Sequence, residues 1–333
     1  MNDNTHHPHA VPTNIITGFL GVGKTSAILH LLSQKPAHER WAVLVNEFGE
    51  IGVDGSLLNG QYSKEQGIFI REVPGGCMCC ASGLPMQIAL NQLLSKAKPD
   101  RLLIEPTGLG HPKEVLQVLS AEYYKKVLSV QKTLTLVDAR KLTDQRYTSH
   151  DTFNQQIAIA DTIIGNKLDL YRESDRARLV DYVKHQGQKH ANVIFAEFGE
   201  VDLVTLQGPI ASLPSQSNHH HDHQVTTSIT DDIIPECGYI KAVNEGEGFF
   251  SVGWRISQEK VFSRQQLILL LAGLKVERMK AVLITDEGIF GYNLSADALT
   301  EVELDDCLES RVEIISDSID DSLETQLLEC IQL

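Results

Sequence analysis

Residues 18–25 read Gly18-Phe19-Leu20-Gly21-Val22-Gly23-Lys24-Thr25, and the fold turns on how this octet is read. It matches G-x-x-x-x-G-K-[ST] in full. An apolar run at 11–19 before it reads as a β-strand, and Lys24 to Ser33 after it reads as a helix. Strand, Gly-rich turn and helix in that order make a phosphate cradle. Glycines let backbone N–H groups close around a β-phosphate, Lys24 reaches the β/γ oxygens, and the Thr25 hydroxyl coordinates Mg2+. The expected phosphate-side contacts are therefore Gly18, Gly21, Val22, Gly23, Lys24, Thr25 and Ser26, with Lys24 and Thr25 in catalytic roles. The alternative is an ordinary Gly-rich turn, which the flanking pattern disfavours.

Outward from the octet, short apolar runs recur at 41–48, 67–73, 101–107, 133–139, 162–167 and 192–196, each reading as a strand. Helical stretches separate most of them, such as Asp175 to Gln186 and Leu84 to Ala97, where Leu84, Ile88, Leu93 and Leu94 are expected to share a face. Alternation of this kind predicts an α/β fold, a P-loop NTPase domain whose mostly parallel sheet is flanked by helices. The pattern breaks after about residue 208. Residues 209–235 read as a His-rich linker, and strands at 238–243, 249–256, 281–285 and 288–294 with a helix at 264–274 predict a small α+β C-terminal domain. The expected division is a polar tail at 1–10, a nucleotide domain at 11–208, the linker at 209–235, the second domain at 236–318 and a tail or helix at 319–333.

A P-loop alone does not choose the base. Asn166-Lys167-Leu168-Asp169 follows a predicted strand, and this N-K-x-D pattern lets the Asp169 carboxylate accept hydrogen bonds from guanine N1–H and N2–H2. Adenine offers neither donor there and would leave the carboxylate unpaired, so GTP is expected over ATP. Lys167 can lie along the base, and Asn166 can tie the loop back to the P-loop. Between the two motifs, Glu105-Pro106-Thr107-Gly108 takes the place of a Walker B acid and a switch glycine. Glu105 is the expected Mg2+-side carboxylate and the Gly108 N–H the expected γ-phosphate donor. Leu109 stands where a water-positioning Gln would be, which predicts slow intrinsic hydrolysis, stimulated by a partner or a metal. Residues 46–54 lie where a first switch belongs. Glu47, Glu50 and Asp54 are candidate metal ligands there, or else solvated loop carboxylates.

Gly75-Gly76-Cys77-Met78-Cys79-Cys80 places three of the chain's six cysteines within four positions. Clustered thiolates suit Zn2+ or Cu(I), and three local ligands leave room for a fourth from elsewhere. Such an open shell suits a metal that is passed on. Small buried thiols and a redox pair are the other readings of Cys77, Cys79 and Cys80. His219, His220, His221 and His223 form a second candidate metal tract, as does the shorter one at His6, His7 and His9, and His111 lies near enough in sequence to the second switch to join. Each tract also reads as plain hydrophilic chain. Because the cysteines fall between the two presumptive switches, metal geometry is expected to depend on nucleotide state.

A formal net charge of −15 opposes phosphate backbones and anionic lipid, so nucleic acid and membrane are not expected partners. No apolar leader or membrane-length run is visible, which predicts a cytoplasmic protein with reduced thiols.

Taken together, GFLGVGKT at 18–25, VNEFGE at 45–50, GGCMCC at 75–80, EPTG at 105–108 and NKLD at 166–169 resemble the CobW-like GTPases, relatives of the nickel-insertion GTPases of hydrogenase and urease. The resemblance covers residues 11–208 and extends to a second domain at about 236–318. It implies a zinc metallochaperone or metalloprotein activator that uses GTP, Mg2+ and Zn2+, acts on an apo-metalloprotein client and forms a metal- or nucleotide-dependent homodimer. A zinc-responsive storage or sensor protein, with GTP gating assembly, is the second reading, and cobalt or nickel delivery a third. Residues 196–200 (AEFGE) do not match a Ser-Ala base motif, so no base contact is assigned to them.

Overall fold

The computed structural model describes residues 10–45, 66–73, 84–110, 112–211, 234–246, 249–295, 298–304, 307, 309–318, 320 and 322–332. They divide into two compact units. The first is built on β1 (Val11–Gly18), β2 (Trp41–Val45), β3 (Ile68–Glu72), β4 (Arg101–Glu105), β5 (Leu128–Val130), β6 (Leu134–Val137), β7 (Thr162–Gly165) and β8 (Asn192–Phe195), in the order β3-β2-β4-β1-β6-β7-β8 with β5 beside β1. The pairs β2/β4, β4/β1, β1/β5, β1/β6, β6/β7 and β7/β8 are all parallel. Helices α1 (Lys24–Ser33), α2 (Leu84–Ala97), α3 (Pro112–Leu119), α4 (Glu122–Lys125), α5 (Gln145–Thr148), α6 (Asp151–Ala158) and α7 (Glu173–Gln186) supply the crossovers. Sheets covered on both faces need strands that are apolar throughout. Trp41–Val45 and Thr162–Gly165 are accordingly buried along their whole length.

One helix face differs from expectation. In α2, Met86, Ala89, Leu90, Leu93 and Ala97 are buried, while Ile88 is 48% exposed. The stripe at 86, 90, 93 and 97 keeps the 3–4 spacing that the set at 84, 88 and 93 breaks. Near the middle of the sheet, Asn14 is fully buried and fully used. Its amide donates to the carbonyls of Lys132 and Leu206, both at 2.9 Å, and its oxygen accepts from Arg101 at 2.8 Å.

The second unit is a six-stranded antiparallel sheet of β9 (Tyr239–Gly246), β10 (Phe249–Ser257), β11 (Arg278–Thr285), β12 (Gly288–Ser295), β13 (Leu299–Leu304) and β14 (Glu309–Ser316), ordered β13-β12-β11-β14-β10-β9. Helices α8 (Arg264–Gly273) and α9 (Leu323–Glu329) complete it. One core gathers Trp254, Met279, Tyr292 and Ile314 from the sheet with Leu267 and Leu271 of α8 and Leu323 and Leu327 of α9. The stretch at 319–333, expected as a tail or helix, therefore carries part of this unit's core: its helix runs 323–329, and Ile331 bridges back to Phe262.

β13 and β14 were not anticipated because charge interrupts both. β13 is an edge strand whose Thr300, Glu301, Glu303 and Val302 face outward, a composition that discourages edge-to-edge pairing. β14 is central, yet carries Glu309, Arg311 and Glu313. The Glu309 carboxylate takes a bidentate hydrogen bond from Arg255 at 2.7 and 2.9 Å and a third from Arg311 at 2.9 Å. Burial pushes its pKa up. The Arg255 bonds and the Arg311 charge outweigh burial and hold it below the usual glutamate value.

Candidate functional site

Parallel strands end together, and the chain's polar motifs collect at those carboxyl ends. β1 runs straight into the octet, β4 ends at Glu105, and β7 ends one residue before Asn166. Lys24 is 4% exposed and curls over the loop, its ammonium donating to the carbonyls of Gly18 at 3.0 Å and Phe19 at 3.1 Å. Thr25 Oγ1 lies 3.3 Å from Glu105 Oε1, and Glu105 is almost fully buried. A hydroxyl and a carboxylate converging from two elements are hard oxygen donors that fit Mg2+.

Asn166 joins the two halves of the site. Its Nδ2 donates to the Val22 carbonyl at 2.8 Å, and its Oδ1 accepts from the Gly199 amide at 3.0 Å. Gly23 sits under this bridge with φ of 95°, where a Cβ would come 2.5 Å from Asn166 Nδ2. Only glycine fits there. Lys167 adopts left-handed backbone, φ 62°, which turns the chain so that Asp169 faces solvent. Tyr171, two residues past the motif, donates to the Val137 carbonyl at 3.1 Å and accepts from the Ala139 amide at 2.9 Å. The motif is thus pinned to the end of β6. Burial pushes the Tyr171 phenol pKa strongly upward.

The segment at 196–200, given no role above, lies against this motif. Leu168 N donates to Ala196 O at 3.1 Å, and Glu200 N to Glu197 O at 2.8 Å closes a turn whose central residues, Phe198 and Gly199, have φ of 51° and 79°. Phe198 at its tip is 69% exposed. A bulky residue in left-handed backbone is uncommon and costs about 1–2 kcal/mol. The sequence signal was the Phe-Gly pair after a strand, but the contact itself is made by main-chain atoms, which no side-chain motif records.

The segment expected to be the second switch packs on the octet. Leu109 is 2% exposed, so it turns no polar group to the site. Thr107 Oγ1 is buried without a hydrogen-bond partner. A Cβ at Gly108 would lie 3.1 Å from the Leu20 amide and 3.2 Å from the Lys24 ammonium, so that peptide approaches as closely as glycine allows. The Gly108 carbonyl accepts from Gln156 Nε2 of α6 at 3.0 Å.

Cys77, Cys79, Cys80, Glu47, Glu50, Asp54, His111, His219, His220, His221 and His223 lie outside the described residues. Among the described residues no three His, Cys, Asp or Glu side chains converge to hold a metal. Cys237 and Cys330 are free thiols in the second unit, which also carries Cys307. Among the same residues no helix is long and apolar enough to cross a membrane.

Residues 12–202 match the family model described as CobW/HypB/UreG, nucleotide-binding domain. The chain is 42% identical over 325 residues to the zinc chaperone YeiR of Escherichia coli, covering 95% of this chain and 97% of that one. It is 32% identical over 207 residues to the zinc-regulated GTPase metalloprotein activator 1 of Schizosaccharomyces pombe, covering 61% and 49%. The solved Zn(II)-bound YjiA GTPase from E. coli aligns over 97% of this chain and 100% of its own at 19% identity, with a TM-score of 0.46.

Proposed function

The chain belongs to the CobW/HypB/UreG family of nucleotide-binding proteins, and from that premise we propose that it is a zinc-binding GTPase that couples GTP hydrolysis to delivering metal to a client protein. The observation that carries the nucleotide half is the Asn166 bridge, which fixes a phosphate loop and a base loop in one rigid arrangement. Asp169, exposed beside it, is free to read guanine N1–H and N2–H2. Lys24 neutralises the β/γ oxygens, and the main-chain amides of Gly21, Val22 and Gly23 wrap the β-phosphate. Thr25 and Glu105 would hold Mg2+, which when bound neutralises developing phosphate charge.

The metal half rests on the three thiolates at Cys77, Cys79 and Cys80 and on the extended likeness to a zinc chaperone. Zinc is cargo in this reading, with a carboxylate of the first switch, Glu47 or Glu50, as candidate fourth ligand. The His219–His223 tract then serves as a loose reservoir. Intrinsic hydrolysis is slow because Leu109 supplies no group to orient the attacking water, and a client, a second copy or the metal accelerates it. The site of action is the cytoplasm and the client is an apo-metalloprotein.

The test uses the full chain loaded with one zinc and a chromophoric zinc chelator as acceptor. GTP is expected to release zinc faster than a non-hydrolysable analogue or ATP does. Equal release with every nucleotide overturns delivery. If the analogue instead changes only the assembly state, the storage reading replaces it.

A further inference from the structure

Helix α6 carries a face that touches both the octet and the glycine that follows Glu105-Pro106-Thr107. Phe153 packs edge-to-face on Phe19 of the octet, ring centroids 5.9 Å apart, and Gln156 three residues on holds the Gly108 carbonyl. Residues three apart on a helix point the same way. Phe19 is further boxed by Tyr147 of α5 at 5.1 Å and by His150, just before α6, at 4.8 Å, so the octet's outer turn is held by α5 and α6 together. The helix is itself fixed to the sheet, since Thr135 Oγ1 donates to the Gln156 main-chain carbonyl at 2.8 Å.

Gln156 is 1% exposed, and its Nε2 donates to an acceptor-only carbonyl, so the amide's orientation is set. Its Oε1 is buried with no hydrogen-bond partner among the described residues. A buried amide that gives one bond and leaves its other end unpaired is costly to stability, about 1–3 kcal/mol. Leucine or methionine would fill the same space with no amide end left over, but would strand the buried Gly108 carbonyl. What the glutamine adds is a grip on one peptide, at the glycine that stands beside the Lys24 ammonium.

We propose that Gln156 is the positioning residue of the second switch. By holding the Gly108 carbonyl it fixes the Gly108–Leu109 peptide, and through it the backbone of the glycine whose N–H is expected to meet the γ-phosphate, so the preference for triphosphate over diphosphate depends on α6. The inference rests on the guanine-nucleotide reading above. It assigns α6 a role in sensing nucleotide state.

The test measures binding of GDP and of a non-hydrolysable GTP analogue, with Mg2+, to the full chain and to Gln156→Met. Methionine keeps the volume and removes the donor. Loss of one buried hydrogen bond made to the triphosphate form is expected to weaken the analogue about tenfold while GDP affinity stays within about twofold. A structural role would instead weaken both nucleotides alike, and that result, or no change in either, overturns the proposal. If Gln156→Met fails to fold, the Gln156 side-chain amide resonance of the wild-type chain decides. It should shift between the GDP and analogue complexes, and an unshifted resonance refutes the idea. Wild type that binds neither nucleotide removes the guanine reading itself, whereas wild type that binds both with an unaltered variant ratio removes only this inference.

Discussion

The side chain of Asn166 donates a 2.8 Å hydrogen bond to the main-chain carbonyl of Val22, across 144 residues of sequence. With the Gly199 amide on its other end, it makes one support for both ends of a nucleotide. Asn166 is 2% exposed, so neither partner can turn to water if the side chain is cut back.

Asn166→Ala therefore leaves a buried carbonyl and a buried N–H unpaired, at about 1–3 kcal/mol each. Calorimetric titration with GDP should show affinity down by about 30-fold or more. Melting temperature should fall as well. GDP affinity within a factor of two of wild type would remove the bridge from the account.

Tyr171→Phe deletes two hydrogen bonds that pin the base motif to β6. A loss of about 1–2 kcal/mol is expected, partly as stability and partly as guanine affinity. The phenol's raised pKa keeps it protonated through the neutral and mildly alkaline range. The wild-type affinity contributed by Tyr171 should accordingly show no step between about pH 7 and 9. A titration following tyrosine ionisation by absorbance checks this.

In the second unit the Glu309 carboxylate is held below its ordinary pKa by Arg255 and Arg311 against the opposing effect of burial. A depressed folded-state pKa contributes stability that is full above the unfolded value and is lost as pH falls through the folded one. Acid should thus loosen this unit from below about pH 4.5 downward. Arg255→Met should cost about 1–3 kcal/mol at neutral pH, Arg311 retaining part of the pairing, and should flatten the acid limb. Urea melts at pH 7 and pH 3.5 followed by Trp254 fluorescence, with Trp41→Phe to silence the other tryptophan, provide the measurement.

Replacing Cys77, Cys79 and Cys80 together with Ser should abolish stoichiometric zinc binding and leave GDP affinity within about twofold, since the proposed function makes these thiolates the zinc ligands and asks nothing of them at the phosphate loop. Atomic absorption on the dialysed variant reads the first outcome and fluorescent GDP the second. Zinc retained at one equivalent would move the centre elsewhere in the chain.

The octet and Asn166–Asp169 could be picked out because each is a contiguous run with its own residue pattern, on a strand end that apolar patterning announces. The loop at 196–200 was not, because its contribution is a main-chain amide at Gly199 and a pair of positive φ angles. Gln156 was equally silent. Its partner is Gly108, 48 residues away, and nothing in either segment names the other. In the second unit β14 was missed because Glu309, Arg311 and Glu313, alternating with Ser310, Val312 and Ile314, leave no apolar run of the kind that marks a buried central strand. Those charges are satisfied across the sheet, which only pairing with Arg255 and Ser251 reveals.

The buried Leu109 bears on timekeeping. A molecular clock that carries no escapement of its own runs at the pace of whoever winds it. A recipient that brings the missing group would end the charged state in its own presence and nowhere else. On the function proposed above, cargo would then stay aboard among strangers and be surrendered only at the proper address, so that a carrier of a coveted ion would not feed every thiol it meets.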